Sequence, residues 1–114
     1  METVSPMTES GEQLYVELWV SLASLLRSYT AAHGLNRNLQ ATVELGEERI
    51  TVRHGDAWLE LERRGAEITC RREDGRSRLL ELMETGKLRD LRHPDGEEMD
   101  MVAEAWAREL MHES

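Results

Sequence analysis

Arg53, Trp58 and Arg71 are the residues of this chain best suited by type and spacing to do chemistry, and that chemistry is recognition. Written as antiparallel strands, the segment around them sets all three in one row, with the indole between two guanidiniums. A cation stacked on an indole contributes roughly 0.5–1 kcal/mol at an exposed site. Such a row serves either as a cross-strand ladder shielding a surface Trp or as a contact surface, because Trp and Arg are enriched at binding hot spots. Leu79 and Met83 are expected on the same face, with Leu88 and Leu91 as candidates to extend it. An exposed apolar patch of this kind marks an interface. The interaction-surface candidates are therefore Arg53, Trp58, Arg71, Leu79 and Met83.

Catalytic arrangements find no support. His33, His54, His93 and His112 are scattered, and none has a second ligand at metal spacing. His54 and Asp56 flank Gly55 and read as a loop pair. No Ser sits in a Gly-x-Ser-x-Gly elbow, and the glycines are spaced as turns rather than as a phosphate loop. Glu97, Glu98 and Asp100 lack the alternating oxygen ligands of a calcium loop. Cys70, the single cysteine, permits no internal disulfide and falls among apolar positions, where a buried, inert thiol is expected. The reading is no cofactor, no metal and an absence of enzyme signals.

The elements that must position these residues follow from alternation. Turns at Gly46-Glu47, Gly55-Asp56 and Arg64-Gly65 align Val43, Ile50, Leu61 and Ile68 in one row and Ala41, Val52, Leu59 and Cys70 in the next. Both rows share a face, and burial of that face sets the pairing, because a one-residue slip would turn every apolar side chain outward. The opposite rows are polar: Thr42, Thr51, Glu60 and Thr69, then Glu44, Arg49, Glu62 and Glu67. Glu73-Asp74-Gly75 suits a three-residue hairpin that sets Leu80 beside Ile68 and Leu82 beside Ala66. Helical spacing of Leu79, Leu80 and Met83 leaves a short helix capped by Gly86 as the alternative there. Residues 87–93 read as a connector or a short sixth strand.

A helix is expected from Glu12 to His33 on the stripe Tyr15, Leu18, Leu22, Leu25 and Tyr29. Ser10 with Gln13 resembles a capping box, and Gly34 suits a left-handed stop. A second helix is expected over 95–112, with Asp95 and Glu98 as its capping box and acids in its first turn. The sum is an α+β domain: helix, antiparallel meander of about five strands (39–45, 48–54, 57–63, 66–72, 77–84), helix. Residues 1–10 read as a disordered leader and 11–114 as one domain.

The net charge of −9 is unevenly spread, with −3 on residues 1–36, zero on 37–92 and −6 on 93–114. An acidic surface repels phosphate backbones, so nucleic-acid binding through the Arg/Trp face is disfavoured. No apolar run reaches membrane-spanning length, and no signal peptide is evident, so a cytoplasmic protein is expected. The leading expectation is a non-enzymatic interaction module, homodimeric or partner-binding. The alternative is a small-molecule binder or enzyme with a pocket between sheet and helices, lined by Met99, Met101 or Met111.

Overall fold

A computed structural model describes residues 6–34 and 40–112, with side chains from Glu12 onward. The order is α1 (Pro6–His33), β1 (Thr42–Leu45), β2 (Arg49–His54), β3 (Ala57–Arg64), β4 (Glu67–Arg72), β5 (Ser77–Leu82), β6 (Lys87–Arg89), β7 (Glu97–Glu98) and α2 (Met99–His112). The strands form one antiparallel sheet in chain order. The α+β architecture expected from the sequence is present, with seven strands rather than five.

Period-two burial builds the inner face. Ile50, Val52, Leu59, Leu61, Ile68, Cys70, Leu80, Leu82 and Leu88 point inward and are buried. Both helices cover this face. Trp19, Leu22 and Leu26 of α1 and Val102, Trp106 and Leu110 of α2 close the same core. The helices are tied together by the Tyr29 hydroxyl, which donates to Asp100 Oδ1 at 2.6 Å, and by His33 Nε2 beside Glu104 Oε2 at 2.9 Å. Helix α1 is tied to the sheet by Trp19 Nε1, which donates to the Gly46 carbonyl at 3.1 Å.

Two turns fall one residue later than the sequence reading set them. Gly46 N donates to Arg49 O, so the first turn is Glu47-Glu48 and Leu45 faces Ile50. The third turn is Gly65-Ala66, because Arg64 pairs with Glu67. Its reason is conformational: Gly65 takes φ +58°, and a two-residue hairpin accepts such a Gly at its first position without forcing Arg64 to positive φ. Each shift moves a pairing by two residues and leaves every side chain on its face. Leu61 therefore faces Cys70 instead of Ile68. The Gly55-Asp56 turn and the Glu73–Gly75 hairpin stand where expected.

Other boundaries move as well. Helix α1 starts at Pro6, a residue suited to a first turn because its missing N–H is not needed there. It takes in residues 6–10 of the stretch read as a leader and leaves Ser10 inside the helix, not at a cap; residues 1–5 lie outside the described residues. Leu39, the expected start of the first strand, also lies outside them. Gly34 does not adopt positive φ; a Cβ there would lie 2.9 Å from Met111 Cε, so its role is close helix approach. Strand β5 ends at Leu82, and Glu84–Gly86 turn the chain with Gly86 N donating to Met83 O. Helix α2 begins at Met99, not Asp95, because Glu97 and Glu98 pair with β6. Asp100 alone of the expected acids lies in its first turn.

Candidate interaction site

Among the described residues no element covers the outer sheet face, and its register decides which candidates meet. Arg53 does face Trp58. Arg71 does not; it faces Glu60 on β3 and Ser77 on β5. The two-residue shift at Gly65-Ala66 separates them. Trp58 N instead donates to Glu73 Oε1 at 3.0 Å, at the loop after β4. Trp58 is half-buried. Leu79 faces Thr69 and is 58 % exposed. Met83 is half-buried, beside Gly96. Leu88 belongs to the core, and Leu91 is fully exposed. By register Leu79 stands in the row of Glu62, two rows from Trp58 with Glu60 and Arg71 between, so they form no continuous apolar patch.

The middle of the outer face is a charge cluster. Arg49 lies 3.7 Å from Glu60 and 3.6 Å from Glu62, and Arg71 lies 3.7 and 3.9 Å from the same pair. Two cations straddling two carboxylates is a solvated ladder, worth little per pair. Glu62 faces Thr69, not Glu67, its neighbour in the polar row read from the sequence, so the two carboxylates are not set opposite each other.

A different site lies at β5. This strand is paired with β4 along Ser77–Glu81 but with β6 only at Glu81 and Leu82. Leu82 N donates to Ala66 O, and Arg72 N to Arg76 O. Antiparallel alternation then turns the N–H and C=O groups of Ser77 and Leu79 away from β4. Strand β6 ends at Arg89, and the chain departs through Asp90–Pro94. A cleft of about 1440 Å³ opens beside those backbone groups. Arg72, Leu80 and Trp106 line its inner side, Leu79 its outer side, and Leu91 and Pro94 the far wall.

Electrostatics hold this wall in place. Asp90 accepts from the Arg78 guanidinium and from the backbone N–H groups of Arg92 and His93. Burial acts to raise its pKa, but the Arg78 and His93 hydrogen bonds outweigh it, and the carboxyl is held at about 2. Asp74 is likewise lowered, first by the Arg76 backbone N–H. Cys70 also borders the cleft; burial pushes its thiol up to about 11, which keeps it protonated and a poor nucleophile.

The sequence reading passed over two inward polar residues, Arg63 and Arg72, and read a third, His54, as half of a loop pair, whereas it closes β2 opposite Ala57; all three are buried. Arg63 has both terminal nitrogens met: Nη1 donates to Gly65 O at 2.8 Å, Nη2 to Glu12 Oε2 at 3.2 Å, and the guanidinium lies 5.9 Å from the Trp19 ring, while Nε is buried without a hydrogen-bond partner among the described residues. Arg72 Nη1 donates to Glu109 Oε1 at 2.8 Å, while Nε and Nη2 are buried without a hydrogen-bond partner. Their position in the alternation was the signal, since Arg63 follows Leu61, and Arg72 follows Cys70, on the inward parity.

Met99 and Met111 are packed in the interior and Met101 is exposed, so the cleft is not the Met-lined pocket expected between sheet and helices. Among the described residues no group of three or more His, Cys, Asp or Glu side chains could hold a metal ion. No helix there is long and apolar enough to cross a membrane. No family model, curated protein or solved structure matches this chain.

Proposed function

We propose that this chain is a non-enzymatic protein-interaction module that takes an extended segment of a partner as an added strand along β5. One observation carries the reading: among the described residues β5 pairs with β6 only at Glu81 and Leu82, so the outward backbone groups of Ser77 and Leu79 have no strand partner and border a cleft of about 1440 Å³. Main-chain pairing supplies affinity in such complexes, and flanking pockets supply selectivity. A single buried thiol suits the reducing cytoplasm, and the overall negative charge disfavours a nucleic-acid partner.

Leu79→Pro is the direct test. The Leu79 N–H points away from β4, so proline there removes no ladder bond within the sheet and blocks only the open side. The variant is expected to fold with unchanged circular dichroism and to lose capture of strand-forming peptides. Undiminished capture by a folded L79P protein would sink the reading.

Self-association is the second reading, and a separate observation favours it. Among the described residues β1 pairs on one side only, and Val16, Val20 and Leu45 remain exposed around the Trp19–Gly46 contact at its end. Light scattering that gives a strict monomer at high concentration would remove it.

A further inference from the structure

We propose that the segment bound along β5 is acidic, and that Arg72 takes one of its carboxylates; the inference rests on strand addition at β5. Arg72 lines the cleft and is 7 % exposed, and among the described residues two of its donors, Nε and Nη2, are buried without a hydrogen-bond partner. A buried guanidinium with unmet donors is costly until an anion satisfies them. Among the described residues its hydrogen bond goes to Glu109, which is 49 % exposed and able to swing aside. Nε and one Nη on the same edge of a guanidinium match a carboxylate bidentately.

The surroundings agree. Although the chain is acidic overall, six Arg border the cleft against four acids; Arg72, Arg76, Arg78 and Arg89 are ion-paired with Glu109, Asp74, Asp90 and Glu81, and the surplus lies at Arg64 and Arg92. The register then says which residue of the bound segment must be acidic. Leu59, Arg72 and Arg76 share one inward row, and Leu61, Cys70 and Arg78 share the next. A strand added beside β5 continues both rows, so its residue opposite Arg76 points inward along the row of Arg72. Strands stand about 4.8 Å apart, so the added strand lies about 9.6 Å from β4, a gap that a Glu and an Arg side chain span together across Arg76. The chain already uses this chemistry, for its own Asp90 lies in line with β6 and its carboxylate sits on Arg78. Outward residues of the added strand would stand beside Leu79, which favours an alternation of acid and β-branched apolar residues.

The test uses the full chain, labelled with nitrogen-15, and two blocked hexapeptides, Glu-Val-Glu-Val-Glu-Val and its Gln-Val counterpart. The acidic peptide is expected to bind at least about tenfold more tightly, to slow exchange of the Ser77 and Leu79 amides, and to shift the Arg72 Nε–H resonance. Arg72→Gln is expected to bring the two peptides to equal affinity. Should that variant fail to fold, Glu109→Gln carries the test: it removes the competing carboxylate and is expected to tighten the acidic peptide severalfold. Equal affinities in the native protein, with Ser77 and Leu79 still protected, would overturn the carboxylate assignment and leave strand addition standing. An Arg72 Nε–H shift with both amides exchanging freely would overturn strand addition and keep the anion site. No response to either peptide overturns both.

Discussion

Arg63 and Arg72 occupy equivalent places on the inner face, yet they differ in how their charge is met. Arg63 is capped by Glu12 and Gly65 and lays its guanidinium over the Trp19 ring. Truncation should therefore act through lost packing as well as lost charge. We expect Arg63→Ala to cost about 2–3 kcal/mol and Glu12→Gln about 1 kcal/mol or less, because Glu12 is largely exposed. Urea unfolding of the two variants checks the order, and an equal loss would refute it. Asp90 gives a pH prediction. Its folded pKa of about 2 lies below its ordinary value of 3.8, so its contribution is complete above about pH 4 and is lost as pH falls towards 2. Asp90→Asn is expected to lower stability by about 1–2 kcal/mol at neutral pH, with the two stability curves converging near pH 2. Parallel curves across that range would show that the Arg78 contact contributes nothing to the fold.

Hairpin elements divide by what their glycines do. Gly65 needs its positive φ and has open space around it, whereas Gly96 combines φ +91° with a site where a Cβ would lie 2.7 Å from Met83 Sδ. Gly65→Ala is expected to cost about 1 kcal/mol from backbone strain alone. Gly96→Ala should cost about 2–3 kcal/mol, since the β6–β7 loop must also move off Met83. Thermal melts of the pair measure the difference; equal shifts would remove the packing role assigned to Gly96. Alternation in the sequence revealed which face each strand buries. It did not reveal the register at two turns, because a slip of two residues leaves every side chain on the same face and only loop geometry tells the two pairings apart. The Arg53–Trp58–Arg71 row was lost to that slip.

At the scale of the molecule, helices and sheet share one core, with Trp19 of α1 and Trp106 of α2 both buried against it. The chain is therefore expected to unfold as a single cooperative unit. Leu26→Ala, which hollows the helix side of the core, should destabilise helix and sheet together by about 2–4 kcal/mol. Far-ultraviolet circular dichroism and tryptophan fluorescence should report coincident transitions in both proteins. Separate transitions would mean that α1 is a detachable element.

The amino-acid sequence by itself determined the α+β class, the succession of helix, hairpins and helix, and the burial of Cys70, because these depend on local periodicity and on glycine-marked turns. The termini of the elements were less legible: Glu97 and Glu98 read equally well as the first turn of a helix, and only pairing with Lys87 and Leu88 makes them strand. The cleft was not legible at all. It exists because β6 leaves the sheet after Arg89 while β5 continues to Ser77, and because Arg72 falls on the inward parity under α2. Each of these depends on where distant segments come to lie, which only tertiary packing decides.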